Sequence, residues 1–256
     1  MKNKFIILGS GSSLGSPWIT NYWGRVNKKN NKNIRSRCCA YIKYKNLSIL
    51  IDTSPDIKKQ ILDNEISNID AILYTHNHAD QTSGIFEMRP FFWKNKKKIP
   101  IYANKKTLTE LKKNYTFCFK ERYGYKPIMI PKNIRTNFSI SKKNTKLTFK
   151  SFSITHGLIK ATAYVFKGIA YLSDCNGISK KNYKYLQNLD LLILDCLRKA
   201  KHPSHFNYSD ALKIINELKP KKAILTNLHT DFDYNKLKIK LPKNIVPAFD
   251  GLTINF

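Results

Sequence analysis

The segment Asp70-Ala71-Ile72-Leu73-Tyr74-Thr75-His76-Asn77-His78-Ala79-Asp80-Gln81 opens as an apolar run of strand length and ends in a dense set of metal-binding groups. Such a pattern places the ligands where a buried strand runs out into a loop, a common seat for chemistry on a rigid scaffold. Neutral imidazole beside carboxylate suits zinc, manganese or iron better than calcium or magnesium. Taken alone, a His-x-His pair in a loop is as readily polar surface. The other histidines shift that balance. His156 follows the run Leu147–Thr155, and His229 follows Ala223-Ile224-Leu225-Thr226 by three residues. Asp174 closes Ile169-Ala170-Tyr171-Leu172-Ser173. Separate strands that each deliver one ligand to a sheet edge can assemble a metal site from distant sequence.

In this order of motifs (strand, His-x-His-x-Asp, a distant His, Asp, then His) the chain resembles the metallo-β-lactamase superfamily of hydrolases. More closely it resembles the branch of phosphoribosyl cyclic-phosphate phosphodiesterases and the tRNA 3′-processing ribonuclease Z. The opening Phe5–Gly15 is similar to that branch's first strand and glycine-rich turn, and Leu50-Ile51-Asp52-Thr53 to its second signature. Tyr171–Asp174, Leu192–Cys196, Ala223–Thr226 and Pro247–Gly251 continue in family order, so the resemblance covers nearly the whole chain. It implies an α/β fold, an αββα sandwich of two packed mixed β-sheets with outer helices, in a single domain over residues 1–256. Periodicity by itself supports only α/β or α+β.

Carried over by position, the resemblance implies that His76, His78 and His156 hold one ion and Asp80 a second, with Asp174 between them. One or two divalent ions, zinc or manganese, are the expected cofactor. The chain departs from the pattern twice. Gln81 stands where the superfamily usually has a second-metal histidine, and an amide oxygen is a poorer zinc ligand than imidazole. Asn227 stands where the branch has another histidine, and His229, two residues on, is the expected substitute. Some phosphodiesterases of the branch bind a structural zinc through cysteines in the N-terminal loop; residues 16–27 here contain none.

The resemblance also makes His205 the general acid, and Asp80 is counted with it among the catalytic residues. A bound divalent ion lowers the pKa of water from about 15.7 toward about 7, which supplies hydroxide at neutral pH, and polarises a phosphoryl oxygen. Asp52 is expected to orient the metal loop, Asp195 to support the site or cap its strand, and Asp250 to serve a turn. His202, before Pro203, reads as a turn residue.

The net charge of +29 would draw any polyanion, but 39 of the 46 basic residues are lysines spread along the chain. Arginine, which reads phosphate bidentately, is scarce at seven, so charge alone marks no nucleic-acid groove. There is no apolar run long enough for a membrane span, and a strand begins too early to leave room for a signal peptide. Five scattered cysteines, an odd number, point to reduced thiols and the cytoplasm. Helices are expected over 55–64, with Pro55 in its first turn, and over 83–94, 105–121, 180–188 and 209–218, the last capped by Ser209. The expectation is a phosphodiesterase on a small cyclic or nucleotide-like phosphate ester. A tRNA 3′-processing endoribonuclease and a non-catalytic metal- or RNA-binding protein are the alternatives. The phosphate ester is the expected partner; RNA and a second copy of the chain stay open, and a membrane is not expected.

Overall fold

The computed structural model describes residues 3–256. The first sheet is built mainly from the N-terminal half, by β1 (Lys4–Gly9), β2 (Cys39–Tyr44), β3 (Leu47–Ile51), β4 (Ala71–Leu73), β5 (Ile99–Ala103) and β6 (Met129–Asn133). The second takes β7 (Asn137–Lys142), β8 (Thr145–His156), β9 (Ile159–Phe166), β10 (Ile169–Leu172), β11 (Leu191–Asp195), β12 (Lys222–Thr226) and β13 (Ile245–Pro247). The last strand, β14 (Leu252–Asn255), returns to the first sheet beside β1, giving the order β14-β1-β2-β3-β4-β5-β6. The second sheet runs β13-β12-β11-β10-β9-β8-β7. Both sheets are mixed: β1 to β3 and β7 to β10 pair antiparallel, while β3 to β6 and β10 to β13 pair parallel.

Three apolar layers explain the stacking. Phe5, Ile42, Ile49, Phe149, Tyr164, Tyr171 and Ile193 fill the space between the sheets. A second layer lies under the helices of the first sheet, around Ile57, Ile72, Ile85, Leu108 and Leu111. A third joins the second sheet to its helix, where Ala211, Ile215 and Leu218 form one buried stripe. Strands such as β3 face apolar groups on both sides and are buried along their whole length, as parallel-sheet strands must be. The αββα sandwich expected from the sequence is therefore the fold.

Helices depart from expectation where tertiary contacts override local pattern. They are α1 (Ile57–Asp63), α2 (Ala79–Thr82), α3 (Arg89–Asn95), α4 (Lys105–Asn114), α5 (Thr116–Phe119), α6 (Tyr208–Leu218) and α7 (Tyr234–Lys240). The helix expected over 83–94 is split, with 3-10 turns at Ser83–Met88 leading into α3. Gly84 causes this: its N–H bonds to Thr53 O, and a Cβ there would collide with the Ser54 carbonyl, so the chain is drawn against the loop after β3. The helix expected over 105–121 breaks at Tyr115, whose hydroxyl is held by Thr82 Oγ1 at 3.0 Å. Residues Lys180–Tyr185 form only 3-10 turns. Pro55 precedes the cap residue Asp56 rather than sitting inside α1. The cap of α6 is Asn207, not Ser209; its Oδ1 accepts from Asp210 N at 2.8 Å. Strand β6, at a sheet edge and interrupted by Pro131, and lysine-rich α7 carry too weak a pattern to be read in advance. No helix among the described residues is long and apolar enough to cross a membrane. All five cysteines are free and buried.

Asp250 does more than close a turn. Its Oδ1 accepts from Ser10 N and Oγ at 2.9 and 2.8 Å, and its Oδ2 from Ser36 N and Oγ at 2.7 and 2.6 Å. One carboxylate thus ties the turn after β1 and the approach to β2 to the C-terminal segment. Asp250→Ala strands four donors, and bonds to a charged acceptor contribute about 1.5–3 kcal/mol each before relaxation. We expect a loss of about 3 kcal/mol, read as a lowered urea midpoint; an unchanged midpoint would show that the tie adds nothing.

Candidate metal centre

The site forms where strands of both sheets end at one edge. Strand β4 runs into the loop bearing His76 and His78, β8 ends on His156, and Asp174 and Asn227 follow β10 and β12. Asp52, Asp174 and Asn227 all take the left-handed conformation, with φ of 65°, 51° and 63°. Asp and Asn tolerate that region better than other side chains with a Cβ, and it turns each chain sharply as its strand ends. Their clustering at one edge is the backbone signature of a functional site.

Hydrogen bonds decide which nitrogen of each histidine is free. Thr75 Oγ1 lies 2.8 Å from Asp52 Oδ2 and 3.0 Å from His76 Nδ1. Its single proton goes to the carboxylate, so it accepts from His76 Nδ1–H. The lone pair of His76 is then at Nε2, a buried atom with no partner. Likewise His156 Nδ1 donates to the Ser204 carbonyl at 2.8 Å, and its Nε2 faces His78 Nδ1 at 3.3 Å. Ligand atoms of His76, His78 and His156 lie within 4.8 Å of one another. Three imidazole nitrogens directed at one point, one of them buried and orphaned, fit a divalent cation. Burial, with Asp174 opposing it, brings the His76 pKa down to about 3, so the ring is neutral, as a ligand must be. His78 is exposed and opens the cluster to solvent.

Next to the histidines sits a carboxylate pair. Gln81, fully buried, places its Nε2 3.2 Å from Asp174 Oδ2 and 3.4 Å from Asp80 Oδ2. Burial and then the charge of Asp174 push Asp80 up to about 6. Burial opposes ionisation of Asp174 too, yet the surrounding His76, His205 and His156 hold it below the usual carboxylate range. Of His76 and His205, His205 carries its proton at neutral pH, and its charge keeps Asp174 ionised. Asn227 lies beside Asp174, but neither atom of its amide makes a hydrogen bond of regular geometry.

His229 is not brought into the cluster. Leu228 is drawn inward by its N–H bond to Ser10 O, and the next N–H bonds to Leu197 O. The His229 ring packs edge-on against Trp18 at 5.6 Å, with Nδ1 3.4 Å from Asp231 Oδ1. The two extra residues after Thr226 carry it past the site rather than around a loop into it.

His205 is brought in. Its ring meets that of His156 at 4.7 Å, and it shares a 4.8 Å group of ligand-type atoms with His156 and Asp174. Its Nδ1 bonds to Asp195 Oδ2 at 2.6 Å, and the same oxygen accepts from Cys175 N at 2.7 Å. Burial disfavours the imidazolium, but the charge and hydrogen bond of Asp195, aided by Asp174 and Asp80, outweigh it and raise the pKa to about 9. Asp195 is thus the partner of His205 and not merely a strand-end cap. His202, read as a turn residue, packs its ring 5.1 Å from that of His205. Three supports escaped the sequence reading: the Thr75 hydroxyl, the Ser204 carbonyl, and Asn176, which binds Gly157 N and Pro203 O and so ties the His156 turn to the His205 loop. Only Thr75, beside the first histidine, left any trace in the motif. Asp52 does orient the metal loop, through Thr75 N at 2.8 Å as well as through the hydroxyl.

Comparison with known proteins agrees with this constellation. The family model described as the beta-lactamase superfamily domain matches residues 48–227, and the chain belongs to that superfamily, in its metal-dependent hydrolase form. A crystal structure described as a new diphosphatase from the PhnP family is 30% identical, with a TM-score of 0.89, covering 100% of this chain and 98% of that one. The zinc-bound PqqB of Methylobacterium extorquens, 16% identical with a TM-score of 0.78, covers 99% of this chain and 100% of its own and shares the fold. An octanoyltransferase of Porphyromonas gingivalis is 28% identical over 254 residues, which are 97% of this chain and 51% of that protein. The chain therefore spans about half the length of this curated relative.

The His205–Asp195 pair can be tested without any substrate. Asp195→Asn removes the largest charge that sustains the imidazolium, so the His205 pKa should fall from about 9, with burial opposing the proton and only Asp174 and Asp80 still favouring it. Histidine proton resonances followed against pH in the metal-free protein will show this; a pKa unchanged by the substitution would remove Asp195 as the cause.

Proposed function

We propose that this chain is a metal-dependent phosphodiesterase acting on a small cyclic or nucleotide-like phosphate ester. The observation that carries the reading is His205, held by Asp195 at 2.6 Å, beside a cluster of three imidazoles whose ligand atoms lie within 4.8 Å of one another. His76, His78 and His156 would hold a divalent ion, which when bound would supply Lewis-acid polarisation and lower the pKa of water. The protein's own groups supply the rest. With Nδ1 committed to Asp195, His205 has its other N–H free to protonate the departing alkoxide, which is a poor leaving group without a proton. Asp80, ionised at neutral pH yet basic for a carboxylate at about 6, takes the proton of the attacking water. The Asp52–Thr75 bonds keep His76 in one tautomer and the loop in one place, so the ligands need no rearrangement as substrate arrives.

The diphosphatase likeness supports attack at phosphorus. The octanoyltransferase likeness raises an acyl ester or thioester as a second reading. Against a covalent acyl transfer stand the cysteines: all five are buried, and burial pushes their thiols up, so none is a ready thiolate. A screen of the metal-loaded protein against cyclic phosphates, dinucleotides, tRNA precursors and octanoyl thioesters separates the readings; turnover of the thioester alone would overturn ours.

Two variants test the roles. His78→Ala removes an ion ligand, and we expect phosphodiester hydrolysis to fall at least 100-fold with loss of bound metal; full activity would end the metal mechanism. His205→Ala should slow an alkyl ester by about 100-fold or more but spare an ester with a nitrophenolate leaving group, which departs unaided. In the wild type the alkyl ester rate should fall as pH rises through the His205 pKa, because the proton donor is lost on the alkaline side. Equal losses on both esters would remove the general-acid role.

A further inference from the structure

Taking the three-histidine cluster as a metal centre, as proposed above, we infer that it holds a single ion, with the Gln81 amide replacing a second ion between Asp80 and Asp174 and Asn227 withholding a ligand from it. The amide is fully buried and its Nε2 reaches a carboxylate oxygen of each, at 3.4 and 3.2 Å. Carboxylate oxygens accept only, so the nitrogen side of the amide must face them; reversed, Oε1 would be set against two negative charges. One N–H to each carboxylate does the work that a shared cation would otherwise do, in the same place. Its cost is visible: Gln81 Oε1 is left buried and unpaired. A cation entering here would have to turn the amide over and break both charge-assisted bonds before gaining one weak neutral ligand. Of the imidazoles grouped with Asp174, His156 belongs to the three-histidine cluster and His205 has its Nδ1 held by Asp195 at 2.6 Å. Asn227 occupies the remaining flank with another neutral amide, in a left-handed turn at φ 63°. His229, the nearest imidazole in sequence, is committed to Trp18 and Asp231. Asp80 is thereby free of metal, as a proton acceptor should be.

Metal stoichiometry tests this without reference to activity. Metal-free protein titrated calorimetrically with zinc and, separately, manganese, with elemental analysis after gel filtration, should bind one ion per chain. The double variant Gln81→His with Asn227→His should bind two. Asp80→Asn, nearly isosteric and outside the predicted ligand set, should still bind one. Two ions in the wild type, or a drop in stoichiometry in Asp80→Asn, would overturn the inference. One ion in both wild type and double variant would show that these amides are not what excludes the second. No ion in the wild type would instead sink the metal-centre reading on which the inference rests.

Discussion

The buried carboxylate of Asp52 is the constraint on which the site depends. Placed after β3 in a left-handed turn, it takes both the N–H and the hydroxyl of Thr75, across the parallel pairing of β3 and β4. Burial raises its pKa well above the carboxylate range, with Asp174 and Asp80 adding to the shift and the two Thr75 bonds opposing it only in part. Because the hydroxyl has one proton and spends it on Asp52, it can only accept from His76, and the imidazole lone pair must face the opposite way. The second sheet is fastened to the same loop: Thr162 N bonds to Thr75 O, and Tyr164 OH to Tyr74 O at 2.7 Å. The loop that bears His76 and His78 is thus pinned from both sheets.

Proton placement governs the rest of the centre. Carbonyl and hydroxyl acceptors fix the Nδ1 protons of His156 and His76, leaving both Nε2 lone pairs to converge with His78 Nδ1. A carboxylate does the reverse for His205 and keeps it charged. Four histidines at one edge thus divide by the chemistry of what stands behind each ring: a hydroxyl at His76, a carbonyl at His156 and a carboxylate at His205. That division, rather than the histidines themselves, distinguishes a hydrolytic centre from a polar patch. His229 shows the converse: its neighbours are an indole and a carboxylate, and it lies outside the groups of converging ligand atoms.

Membership of the superfamily accounts for the scaffold and for the need of a divalent ion, and the departures from its pattern are what is particular to this chain. Gln81 and Asn227 are both buried against Asp174 or its pair, where the two-ion pattern would place imidazoles. The Gln81 amide bonds to both carboxylates, and both residues put a neutral amide where an imidazole ligand would stand. A fold shared across many reactions does not name the ester; the groups around the leaving oxygen carry that information.

Much of this was legible in the chain itself. Apolar runs marked the strands that lead into the site, whereas the proline and edge position of β6 leave no clear pattern, and an Asp or Asn follows the run at the left-handed ends of β3, β10 and β12. The motif order pointed to His76, His78, Asp80, Gln81, His156, Asp174 and His229 as ligands, because ligands at strand ends are local features that survive in sequence, and the family resemblance added His205; His229 is the one the structure leaves outside the site. Helix boundaries were less readable: the break at Gly84 comes from a carbonyl of another loop, and that at Tyr115 from a threonine 33 residues away. Which nitrogen is free, which carboxylate serves which histidine, and whether His229 reaches the centre depend on hydrogen bonds between segments far apart along the chain. Sequence determined the scaffold and the inventory of ligands, since both follow from local pattern. Tertiary structure alone decided the protonation and partnership of each ligand, since a proton's position is set by the atom it faces across space.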